Sequence, residues 1–109
     1  AKVHYPGLTG HPDHDIARRS LDGFGGIVGL ELAGGTAAVA RMLGRLKMII
    51  HAPSLGGVES LVSEPRRTSH RNLTAEARAA LGFPDGFLRL SCGVEDAADI
   101  IADLEQALK

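Results

Sequence analysis

The feature that most constrains this chain is how often its apolar residues change period within a short length. Val39, Met42, Leu43 and Leu46 recur at i, i+3, i+4 and i+7, the signature of one helix face. Ala97, Ile100, Ile101, Leu104 and Leu108 form a second such stripe. Short apolar runs of strand type lie around and between them, at residues 26–32, 48–50, 60–63 and 87–92. Helices and strands alternating in this way must cover one another's apolar faces, which predicts an α/β fold, a two-layer sandwich with its helices on one side. A length of 109 residues leaves room for a single core, so residues 1–109 are read as one domain.

The punctuation supports this order. Lys2 to Tyr5 reads as a strand stopped by Pro6-Gly7, and Ile16 to Leu21 as a short helix closed by Gly23. Thr36 is the expected N-cap of the second helix, and Met48-Ile49-Ile50 a buried strand behind it. A loop, Ala52-Pro53-Ser54-Leu55-Gly56-Gly57, leads to a strand over residues 60–63 that Pro65 ends. Residues 66–72 read as polar and irregular. Thr74 caps a helix through Leu81 with Glu76 in its first turn, and Asp96 caps the last helix. The predicted sequence of elements is β-α-β-α-β-β-α-β-α. Because two of the strands are joined directly, antiparallel or mixed pairing is expected.

Charge and cysteine usage exclude several classes. A net charge of −1 gives no broad field to steer the chain toward nucleic acid or anionic lipid. No apolar run approaches the ~20 residues of a membrane span. The single cysteine, Cys92, excludes an internal disulfide and suits a reducing cytoplasm. The chain opens directly on a strand without an initiator Met, so a piece cut from a longer protein is expected.

Two stretches carry candidate chemistry. Ser54-Leu55-Gly56-Gly57 joins a hydroxyl to residues that let backbone N–H groups approach a small anion, although the same residues also make an ordinary turn. Arg89 lies between Leu88 and Leu90 and so points away from both. A guanidinium in so apolar a strand needs an anionic partner. That partner is either a ligand's carboxylate or phosphate, or a protein carboxylate such as Glu31 or Glu59. His11, Asp13, His14 and Asp15 have metal-site residue types but read better as a solvated helix start. His51 and His70 read as packing or surface residues, and Cys92 as an inert core thiol.

Taken in order, these segments resemble a known family. Val3-His4-Tyr5-Pro6-Gly7-Leu8 with His11-Pro12 and His14, then Gly23-Phe24-Gly25-Gly26 running to Glu31-Leu32, are similar to the start of the C-terminal domain of the transsulfuration enzymes. These are the cystathionine γ-synthase/γ-lyase family of pyridoxal-phosphate enzymes. Residues 52–61 are the most specific match, followed by Pro65 and Thr68-Ser69-His70, by residues 89–96, and by the tail from Asp103-Leu104 to Leu108. The resemblance runs from end to end.

It implies the C-terminal small domain of a fold-type I pyridoxal-phosphate enzyme. That enzyme would act on sulfur amino acids by β/γ-elimination or γ-replacement, as a homo-oligomer, a tetramer in the parent. It further implies that Arg89 grips the substrate α-carboxylate and that Ser54 lies at the same carboxylate. Ser69 stands where the family usually carries threonine near the site. Pro53 occupies a substrate-facing position, and proline there leans toward a γ-synthase-like activity. No catalytic residue is expected in this chain. The cofactor's Schiff-base lysine, its phosphate cradle and its pyridinium partner would lie in a large domain absent from the chain, since Lys2, Lys47 and Lys109 are the only lysines here. The fragment alone is therefore expected to be inactive. The alternative is a stand-alone binding or regulatory module that kept this fold without the chemistry.

Overall fold

Every residue from 1 to 109 is described by the computed structural model. Five strands form one sheet: β1 (Lys2–His4), β2 (Ile27–Glu31), β3 (Ile50–His51), β4 (Leu61–Ser63) and β5 (Phe87–Ser91). Their order across the sheet is β1-β2-β5-β4-β3. The helices are α1 (His14–Ser20), α2 (Gly35–Arg45), α3 (Ala75–Ala80) and α4 (Ala97–Leu108), with a 3₁₀ turn at Pro65–Arg67. The element order is the one the sequence predicts.

Burial explains the layering. Leu88 and Leu90 of β5 and Val62 of β4 pack with Val39 and Met42 of α2 and Ile100 and Ala107 of α4. Val28 and Leu30, which pair with Leu90 and Leu88 across the β2–β5 ladder, extend the same core. The two long helices thus cover one face of the sheet. The other face carries Phe87, Arg89 and Ser91, because alternate side chains on a strand point to opposite sides. Residues 65–83 border that face, with the Phe83 ring edge-on to Phe87 at 5.1 Å.

The sheet is mixed, but not for the reason the sequence suggests. The directly joined strands β3 and β4 are the parallel pair, and every other pairing is antiparallel. Residues 52–60 must therefore carry the chain back to the starting end of β3 before β4 begins. That return path is the substrate-loop candidate.

Three local expectations are corrected. α2 begins at Gly35 with Gly34 as N-cap and no side-chain capping bond, so Thr36 is not the cap. A turn from Leu32, closed by the Gly35 N–H to its carbonyl at 3.1 Å, delivers the chain into the helix earlier. Residues 48–50 do not form a buried strand. Ile49 is buried but Ile50 is 50% exposed, and the β3 ladder starts only at Ile50. Finally, α4 buries Ile100, Asp103 and Ala107, while Ile101 and Leu108 remain exposed. Thr74 and Asp96 do cap their helices, accepting from the Ala77 and Ala98 amides.

Asp103 accounts for the last two corrections together. Its carboxylate accepts the N–H groups of Lys47, Met48 and Ile49 at 2.9, 2.9 and 2.8 Å, and the Gln106 carboxamide at 2.9 Å. Those amides are thereby satisfied by α4 instead of by a strand, and the helix is rotated to bring Asp103 inward. Burial opposes ionisation, but the four donors outweigh it and hold the pKa at about 2, against an ordinary 3.8.

Asp103→Ala should cost roughly 2–4 kcal/mol of stability, since it leaves several buried amides without an acceptor. The folded-state pKa lies below the unfolded one. The ionised carboxylate therefore contributes fully above about pH 4, and its contribution is lost as pH falls toward 2. Denaturant unfolding of the wild type, Asp103→Ala and Asp103→Asn between pH 2 and 6 checks both points, with the variants showing the flatter acid limb.

Candidate functional site

Arg89 stands on the open face between Gly29 of β2 and Ser63 of β4. The absence of a side chain at Gly29 leaves room there for the Phe87 ring, which a Cβ would meet at 2.8 Å. The Arg89 Nη2 donates to the Pro53 carbonyl at 3.0 Å and to the Ser54 carbonyl at 3.3 Å. Its Nε is buried and has no partner. Neither Glu31, which pairs with His4, nor Glu59 forms an ion pair with it. The fold therefore does not adopt the pairing with a protein carboxylate. Arg78, whose Nε is also partnerless, differs in holding Asp85 at 3.0 Å.

Arg89 lines a cleft of about 300 Å³ together with His4, Ser69, His70, Phe83 and Phe87. Ser69 Oγ lies 2.7 Å from His70 Nδ1, and the His70 ring packs on Phe83 at 4.4 Å. The structure thus brings Pro53, Ser54 and Arg89 into contact and places Ser69 on the wall of the same cleft. A guanidinium without a carboxylate partner on the wall of a half-apolar cleft has the chemistry to take one small planar anion.

The histidines take structural places. His14 Nδ1 bonds the Pro6 carbonyl at 2.7 Å and its ring stacks on Phe24, so it is half-buried and not part of a solvated helix start. His11 Nδ1 accepts from the Asp13 amide, and no three His, Cys, Asp or Glu side chains converge. His51, read as isolated, lies 3.5 Å from Glu64, a buried carboxylate that also pairs with Arg66 and Arg67. Burial first, and the Glu95 charge second, push the Cys92 thiol up, which keeps it protonated.

The cleft does not fit the covalent anchor of a pyridoxal cofactor. Lys2, Lys47 and Lys109 are all exposed and none lines it.

Over residues 1–109 the sequence matches the Cys/Met metabolism PLP-dependent enzyme family. The chain belongs to that family. It is 45% identical, over 99% of its length, to an L-methionine gamma-lyase of Fusobacterium nucleatum subsp. polymorphum. It is 43% identical over 98% of its length to a cystathionine gamma-lyase of Bacillus subtilis. Its structure superposes with a TM-score of 0.92, at 48% identity, on a cystathionine gamma synthase from Xanthomonas oryzae pv. oryzae in complex with cystathionine. The chain spans 27% and 28% of the two enzymes and 28% of the solved chain. Family members depend on pyridoxal phosphate, as the family description states. The small-domain α/β fold expected from the sequence is the fold of the matched part of that solved chain.

Sequence reading missed the residues that hold the loop in place. The Val94 amide donates to the Val58 carbonyl at 2.8 Å, and the chain passes so closely there that a Cβ on Gly93 would run into that carbonyl. The pattern of the sequence gives no sign that residues 58 and 93 touch. Gly93→Ala should therefore displace the loop and not merely stiffen a turn. Hydrogen exchange at the Gly56 and Ser60 amides should speed up by an order of magnitude or more, whereas exchange at the Leu88 and Leu90 amides should be much less affected.

Proposed function

We propose that the chain is the C-terminal small domain of a pyridoxal-phosphate-dependent, cystathionine γ-synthase-like enzyme. It acts on sulfur amino acids by β/γ-elimination or γ-replacement and does nothing alone. The observation that carries this reading is the Arg89 guanidinium, bonded only to two loop carbonyls, with a buried partnerless Nε. Arg89 grips the substrate α-carboxylate in this reading. Ser54 lies at the same group, Ser69 borders it from the cleft wall, and Pro53 shapes the neighbouring substrate surface. The chain supplies no proton-transfer group of its own. It binds and orients, while the cofactor is held by the large domain.

The partner surface fits that division. Val28, Leu30, Leu90, Ile101 and Leu104 line an apolar groove beside α4, and Leu55, Val58 and Val94 are exposed elsewhere on the surface. Exposed apolar area on this scale suits a covering partner, which we take to be the protein's own large domain within a homo-oligomer. No helix is long and apolar enough to cross a membrane, and a single free thiol accords with a cytoplasmic enzyme.

In the full-length protein, Arg89→Ala should lower kcat/KM for the amino-acid substrate by roughly ten- to several-hundredfold, the loss of a shielded charge-assisted contact. Arg89→Lys should recover part of this, because a point charge cannot reproduce the planar fork. Steady-state kinetics and thermal unfolding on the same variants decide the matter. A large stability loss with unchanged KM and kcat would move Arg89 to the scaffold. Titrating the isolated chain with pyridoxal phosphate should give no saturable, stoichiometric band of lysine-bound cofactor, and such a band would refute the division of labour.

A further inference from the structure

Residues 53–59 are all exposed, so the segment that meets Arg89 has little packing to hold it. Polar bonds to the chain just beyond Arg89 hold it instead. The Gly56 amide donates to Ser91 Oγ at 2.9 Å. At the far end of the loop, the Ser60 amide and hydroxyl donate to the two carboxylate oxygens of Glu95 at 2.7 and 2.8 Å. Ser60 Oγ in turn accepts from the Gly93 amide at 2.9 Å, which leaves its proton for Glu95. Ser60 and Ser91 are both buried. These side chains serve the loop and not the surface.

Arg89, Ser91, Gly93 and Glu95 follow one another on a single stretch of backbone. The loop is thus indexed, at its middle and at its end, to the same stretch whose guanidinium bonds its carbonyls at the start. Burial provides no second constraint to keep residues 53–56 in register with Arg89. A displaced loop would turn the Pro53 and Ser54 carbonyls, and with them the fork they orient.

We infer that Glu95, acting through Ser60 and together with Ser91, is a positioning residue for the Arg89–Ser54 pair. It sets the orientation in which an amino acid's α-carboxylate is gripped. This rests on Arg89 being the carboxylate clamp. The Ser60 amide, followed by its hydroxyl, holds the Glu95 carboxyl below the usual carboxylate range, so both oxygens accept at neutral pH. A glutamine in its place has one acceptor oxygen and turns an NH₂ toward one of the two donors.

The test uses the full-length, cofactor-loaded protein and two non-reacting ligands, L-norvaline and its α-amide, with binding read by calorimetry. The clamp reading requires the wild type to prefer the acid. Glu95→Gln and Ser91→Ala should each reduce that preference by about tenfold, through weaker binding of the acid, as expected for coupled groups. Binding of the amide should change by less than about twofold. Glu95→Asp, which keeps both oxygens, should recover part of the loss. Ser91→Ala removes a single bond and serves if Glu95→Gln fails to fold. Variants that lower the melting temperature but keep the full acid preference would overturn the inference and leave Glu95 a structural residue. A wild type that binds acid and amide alike would instead overturn the clamp reading, and the inference with it.

Discussion

Leu88 and Leu90 are buried beneath α2 and α4, and a strand turns successive side chains to opposite faces. Phe87, Arg89 and Ser91 consequently have only the open face available to them. Each then finds a use set by its position along the strand. Phe87 meets Phe83, Arg89 meets the Pro53 and Ser54 carbonyls, and Ser91 takes the Gly56 amide. β5 is the central strand, paired antiparallel on both sides, so the guanidinium stands on a strand held by ladder bonds along both edges. Under the proposed role for Arg89 that support matters, because loose support loses most of the benefit of a bidentate contact.

The same physical device appears just before each strand of the parallel β3–β4 pair. Where the backbone cannot join the ladder, a carboxylate from α4 or its approach accepts the stranded amides. Asp103 does so for residues 47–49, and Glu95 for Ser60. The connection that doubles back leaves the Ser60 amide with no strand to bond, and residues 47–49, which precede the β3 ladder, have none either. Both carboxyls are held in the ionised form by the amides they accept from, although burial works against each. α4 is therefore more than a cover for the core. With the turn that leads into it, it fixes where β3 and β4 begin.

Much of the fold was legible because the apolar residues keep time. The stripes of α2 and α4 and the alternation in β5 give the layers directly, and Thr74 and Asp96 are caps whose partners lie within three residues. The errors share one cause. Thr36 looked like a cap, residues 48–50 like a buried strand, and Ile101 and Leu108 like core, each on local pattern alone. Two of the three turn on the contact between Asp103 and the amides of residues 47–49, groups more than fifty positions apart along the chain. A buried aspartate in an apolar stripe reads as an interruption until the amides it satisfies are known.

The site divides in the same way. By itself the sequence determined that Arg89 lies opposite the core, that Ser54 sits in a glycine-containing loop, and that the whole chain resembles one family, because these depend on residue type and local spacing. Only the tertiary structure decided that the guanidinium has no protein carboxylate, that Pro53 and Ser54 meet it through their backbone carbonyls, and that Ser60 and Glu95 join across 35 residues. Such contacts depend on which strands become neighbours and in which direction they run. A parallel β3–β4 pair carries no local signature, because its register is set by hydrogen bonds between segments and not by the order of residues within either one.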